Sequence, residues 1–151
     1  MTCIVATARG IWADRRVTGS DGALYRPTRK VVRSPDGALV AAFCGADADC
    51  AKAQAAVRQG ETDVHALAAL SDGVAVTARG KYELGGGVAA RVPARVPLAV
   101  GGSGYAEAQA FLYGRGRYTD ATIRAALRYV STVRTDCGDG VDALELRPRR
   151  T

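Results

Sequence analysis

The stretch Lys30-Val31-Val32-Arg33-Ser34-Pro35-Asp36-Gly37-Ala38-Leu39-Val40-Ala41-Ala42-Phe43-Cys44-Gly45 decides the architecture. Two apolar runs, Lys30 to Ser34 and Ala38 to Phe43, flank Pro-Asp-Gly. Proline presets φ, the Asp side chain bonds its own backbone, and glycine accepts the left-handed conformation, so the runs read as antiparallel neighbours. After Gly45 the period changes. Ala-rich sequence continues through Val57 to a stop at Gly60, and Asp47 or Asp49 is placed to cap the helix.

Upstream, Cys3 to Ala8 and Ile11 to Arg15 read as two short strands joined at Arg9-Gly10, with Asp14 near the end of the second. A turn-rich piece runs from Thr18 to Thr28. Downstream, Val64 to Leu70 reads as a short helix, and Gly73 to Ala78 and Lys81 to Leu84 as strands around Arg79-Gly80. Gly85-Gly86-Gly87 opens a loop expected to continue to Pro97, ahead of a buried strand at Leu98-Ala99-Val100. A helix from Tyr105 to Tyr113 follows. The clearest helix comes next: Thr119 can cap it, and Ile123, Ala126, Leu127 and Val130 fall on one face of a 3.6-residue period. Val141 to Leu146 is the last strand. The order β-β-β-β, α-α, β-β-β, α-α, β predicts an α+β fold, a four-layer αββα sandwich of two antiparallel sheets covered by helices, in one domain over 1–151.

Composition narrows the function. With 48% hydrophobic and 24% charged residues the 151-residue chain is of globular type, not disordered. No apolar run approaches the length of about 20 residues that spans a bilayer, and the N-terminus lacks the pattern of a secretory signal, so a cytoplasmic protein without a membrane role is expected. Cys3, Cys44, Cys50 and Cys137 have no metal-ligand spacing and His65 is the single histidine, so neither a metal ion nor another cofactor is implied. Reduced thiols are expected, with Cys44 and Cys137 as small core residues. The net charge of +6 is spread along the chain except in Arg147-Pro148-Arg149-Arg150. That cluster reads as a solvated tail, and nucleic-acid binding is disfavoured.

Chemistry enters at the N-terminus. In Met1-Thr2-Cys3-Ile4-Val5-Ala6 a hydroxyl residue stands at the head of an apolar strand, and Thr is small enough for Met1 to be removed before it. A chain starting at Thr2 carries a nucleophilic hydroxyl and its own general base, the α-amine.

Thr2, Asp14, Lys30 and Gly45, followed by Gly101-Gly102-Ser103-Gly104 and Asp136, form a set that resembles the β-type subunits of the proteasome superfamily, most nearly its HslV-like branch of N-terminal nucleophile hydrolases. The likeness lies in Thr2-Cys3-Ile4-Val5-Ala6, Arg29-Lys30-Val31, Ala42-Phe43-Cys44-Gly45-Ala46-Asp47-Ala48 and Ala99-Val100-Gly101-Gly102-Ser103-Gly104. The sixteen positions from Asp14 to Lys30 and the fifteen from Lys30 to Gly45 agree with that pattern. The interval from Thr2 to Asp14 is several residues shorter, and in Asp136-Cys137-Gly138-Asp139-Gly140 the position of Asp139 is one where the pattern carries serine.

The resemblance implies a threonine peptidase. Thr2 would be the nucleophile, with Lys30 kept cationic by Asp14, the Gly45 amide holding the oxyanion, and Ser103 with Asp136 orienting the amine. It also implies homo-oligomeric rings or stacked rings, polypeptide substrates and an ATP-dependent unfoldase. Taken singly, Asp14 and Lys30 also suit a structural ion pair, Gly45 a turn, and Ser103 a helix cap. Three other readings remain at this point: a catalytically silent ring-forming protein, a small-substrate amidohydrolase with the same nucleophile, and a basic nucleic-acid-binding module.

Overall fold

In the computed structural model, residues 2–17 and 27–147 are described. The turn-rich piece at 18–26, the end of the basic tail and Met1 lie outside them. Four strands open the chain: β1 (Cys3–Ala6), β2 (Gly10–Asp14), β3 (Val31–Arg33) and β4 (Leu39–Cys44). Helices α1 (Asp47–Arg58) and α2 (Val64–Leu70) follow. Strands β5 (Asp72–Thr77), β6 (Gly80–Gly85), β7 (Val88–Val92) and β8 (Ala99–Gly102) come next, then helices α3 (Tyr105–Arg115) and α4 (Asp120–Val133) and strand β9 (Val141–Glu145).

Every strand pairing is antiparallel. One sheet has the order β8-β1-β2-β9 and the other β3-β4-β5-β6-β7. Alternation along each strand sorts its side chains between two faces. In β1, Ile4 and Ala6 face the other sheet while Cys3 and Val5 face α3 and α4. In β4, Val40 and Ala42 point between the sheets, and Leu39, Ala41 and Phe43 point to α1 and α2. Strands buried on both sides must be apolar at consecutive positions, which is why β1 and β4 show no polar alternation. The result is the expected αββα sandwich.

The helix α4 has the expected amphipathic face: Ile123, Ala126, Leu127 and Val130 are buried, and Thr119 and Thr122 form a reciprocal capping box. Two expectations are corrected. Neither Asp47 nor Asp49 caps α1. Ala46 is the N-cap, and both aspartates sit in the first turn, where their charge favours the exposed amides of the helix N-terminus. The stretch after Gly85 is a strand, β7, and not a loop through Pro97. Gly86 and Gly87, at φ 58° and 80°, make a two-residue turn that folds β7 back on β6 with Gly85 opposite Val88.

Candidate active site

The centre of the site is Asp14, the last residue of β2. Its Oδ1 accepts the Cys3 amide at 2.7 Å and the Lys30 ammonium at 3.0 Å. Its Oδ2 accepts the amides of Gly138 at 2.9 Å and Arg16 at 3.2 Å. Asp14 is 1% exposed and Lys30 5%. Such a carboxylate is tolerable because four donors replace its lost hydration. Lys30, immediately before β3, also donates to the Arg16 carbonyl at 2.5 Å. Helix α1 leans on the same residue, since the Gln54 amide donates to the Lys30 carbonyl at 3.4 Å.

Thr2 precedes β1 and is 5% exposed. Its carbonyl accepts the Gly104 amide at 3.4 Å and lies against the backbone of Gly102, where a Cβ would collide with it. Glycine is therefore required at Gly102 both for that contact and for its φ of 79°. Ser103 lies between these two glycines. Its Oγ donates to Asp136 Oδ2 at 2.9 Å. Ser103 does not cap α3, whose N-cap is Gly104.

A cleft of about 230 Å³ joins the parts, with Thr2, Lys30 and Gly45 in its lining beside Thr28, Cys44 and Cys50. Gly45 has φ 110° and open space where a Cβ would stand, so its backbone conformation, not crowding, calls for glycine. Of the six residues singled out in the sequence, Thr2, Lys30 and Gly45 share the cleft and Asp14 holds Lys30. Ser103 and Asp136 are bonded to each other on the segments flanking Thr2 and Gly138.

Sequence reasoning missed two arginines. The guanidinium of Arg134 is bonded to Asp136 at 2.9 and 3.1 Å and to Glu107 on α3 at 3.1 Å. It holds the Asp136 carboxyl down at about 2. The Arg-Thr-Asp spacing of 134–136 was the available signal. Arg16 contributes its carbonyl to Lys30 and its amide to Asp14, backbone roles that leave no mark in the sequence. Burial pushes the Cys3 thiol up, and it pushes the thiols of Cys44 and Cys137 up to about 11. All four cysteines are free. Among the described residues there is no group of three His, Cys, Asp or Glu side chains placed to hold a metal ion, and no helix is long and apolar enough to cross a membrane.

Neither a protein-family model nor a curated protein matches the sequence. Among solved structures, the chain is similar to HslV from Trypanosoma brucei, with a TM-score of 0.73 at 18% identity over 98% of this chain and 100% of that one. It is similar to Thiobacillus denitrificans BPH in complex with epoxomicin, with a TM-score of 0.71 at 16% identity over 97% of this chain and 99% of that one. A second structure of Thiobacillus denitrificans BPH gives a TM-score of 0.69 at 18% identity, over 97% of this chain and 98% of that one. The architecture is thus the proteasome and HslV type of N-terminal nucleophile hydrolase fold, and the likeness is one of fold.

Proposed function

We propose that this chain is an N-terminal threonine peptidase of the HslV and proteasome type, active once Met1 has been removed, and that it works in the cytoplasm as a homo-oligomeric ring or stacked rings. The observation that carries the reading is the meeting of Thr2, Lys30 and Gly45 in one cleft, with Asp14 holding both Lys30 and the amide that follows Thr2. The α-amine of Thr2, directly or through a water, takes the proton of Thr2 Oγ as that oxygen attacks a peptide carbonyl. The buried Lys30 ammonium lowers the energy of the developing alkoxide, and the Gly45 amide donates to the oxyanion. The ammonium formed at Thr2 returns its proton to the departing amine. A water then hydrolyses the ester left on Thr2, and Ser103 with Asp136 orients the amine through both steps. Unfolded polypeptides, delivered by an ATP-dependent unfoldase, are the substrates that the likeness to HslV suggests.

The test is intact-mass measurement of the protein purified from its native host, before and after incubation with the epoxyketone epoxomicin, with native mass spectrometry for the assembly. Loss of Met1, a single covalent adduct mapped to Thr2 and no adduct on Thr2→Ala are expected. A chain that keeps Met1 and takes no adduct overturns the peptidase reading and leaves a silent, ring-forming relative.

A further inference from the structure

Asp139 is, among the described residues, the single non-glycine residue with positive φ, at 61°. Its neighbours Gly138 and Gly140 stand at 146° and 93°. Aspartate enters the left-handed region more readily than most residues, but a conformation of this kind persists only where its surroundings hold it. The Arg16 guanidinium provides the hold. It reaches Asp139 with two bonds, Nε to Oδ2 at 3.1 Å and Nη2 to Oδ1 at 3.3 Å, and its third arm donates to the Thr135 carbonyl at 2.6 Å. Gly138 seats the guanidinium, since a Cβ there would stand 2.9 Å from Arg16 Nη2.

The backbone of the same arginine faces the site. The Arg16 amide donates to Asp14 Oδ2 and to the Gly138 carbonyl, and the Arg16 carbonyl accepts the Lys30 ammonium. Gly138 in turn donates to Asp14. A part-exposed ion pair such as Arg16 with Asp139 adds little stability by itself. Here a forked pair clamps two backbone segments that between them supply half of the donors to Asp14 and one acceptor of Lys30.

We propose that Arg16 and Asp139 are a positioning pair that locks the 134–140 turn onto the end of β2 and thereby fixes Asp14 and Lys30 for the chemistry of Thr2. The inference rests on the peptidase reading for its catalytic consequence, and on the geometry alone for its effect on Lys30. The carboxylate of Asp139 does by a forked ionic contact what a hydroxyl at that position cannot do, because serine has no second oxygen to meet the guanidinium.

The experiment compares the processed wild type with Asp139→Asn, Asp139→Gly, Arg16→Lys, Arg16→Ala and the double variant Arg16→Ala/Asp139→Asn. Two quantities are read: the rate of epoxomicin addition to Thr2 across pH, and the hydrogen-exchange rate of the Lys30 Nζ protons by 15N-detected NMR. Asp139→Gly relieves the backbone at this left-handed position. It should still slow addition about tenfold or more, as loss of positioning does. The double variant should be no slower than the slower single variant, Arg16→Lys should be intermediate, and Lys30 exchange should quicken in each. Lowered thermal midpoints with wild-type addition rates and wild-type Lys30 exchange overturn the pair, as does a double variant whose losses multiply. If the wild type itself takes no adduct, the peptidase reading falls, and Lys30 exchange alone decides: quickened exchange in Asp139→Gly upholds the pair, unchanged exchange overturns it.

Discussion

Lys30 Nζ stands 3.0 Å from Asp14 Oδ1, with the two side chains 7% and 1% exposed. The partners are unequal. Asp14 keeps three backbone amides if Lys30 is lost, whereas Lys30 loses a buried carboxylate at that distance if Asp14 is lost.

The asymmetry sets the first prediction. Asp14→Asn takes the buried carboxylate from beside the Lys30 ammonium and should destabilise by about 3–5 kcal/mol. Lys30→Met should remain the more stable of the two while abolishing epoxomicin addition. Urea unfolding of both variants checks the order, and an Asp14→Asn protein as stable as Lys30→Met would contradict it.

Acid sensitivity follows from Asp136. Its folded pKa of about 2 lies below the ordinary aspartate value of 3.8, so the stabilisation is fully present above about pH 4 and is lost as pH falls through 2. At about 1.4 kcal/mol per unit the contribution is at most about 2.5 kcal/mol. Glu107, held low by its own backbone amide and by Arg134, and Asp139, held low by Arg16, are shifted in the same direction. The quantity to measure is therefore the difference between wild type and Asp136→Asn in unfolding free energy from pH 5 to pH 2. The gap should close on acidification.

The thiols separate by place. Cys50 and Cys44 are half-buried and line the cleft, whereas Cys3 and Cys137 are fully buried. N-ethylmaleimide at pH 8.5 should modify Cys50 and Cys44 in the native protein and the other two after unfolding. Labelled protein should take up epoxomicin poorly. Peptide mapping that finds Cys3 modified under native conditions would refute the packing of β1 against α3 and α4.

Trp12, the single tryptophan, donates its indole N–H to Asp120 Oδ1 at 2.7 Å and is 3% exposed. Asp120→Ala leaves that donor unpaired and should cost about 1–3 kcal/mol. Tryptophan fluorescence reports it directly. Asp120→Asn, which keeps an acceptor, should recover most of the loss.

Much of this arrangement is legible in the sequence. Pro35-Asp36-Gly37, the break at Gly45 and the period of Ile123 to Val130 give the sheet, the crossover to helix and α4. Asp14, Lys30 and Gly45 are visible because side-chain chemistry or positive φ ties each residue type to its place. What escapes the reading is chemistry without a residue signature. The Arg16 carbonyl would be present with any side chain, and β7 is hidden because Gly85-Gly86-Gly87 suits an open loop as well as a tight turn. Its weak Val88-Ala89-Ala90-Arg91-Val92 pattern, at a sheet edge, carries no strong signal either way. The N-cap of α1 escapes for a related reason: aspartates at 47 and 49 favour a helix start without fixing which residue caps it.

The way Thr2 is held sets an order of events in time. The bonds that anchor this end of the chain run through the Thr2 carbonyl and the Cys3 amide. Hydrolysis of the bond between residues 1 and 2 changes neither group. The scaffold around the hydroxyl can therefore be complete before the amine is liberated, and cutting that one bond would act as a trigger on a pre-set mechanism, with no refolding between the precursor and the competent protein.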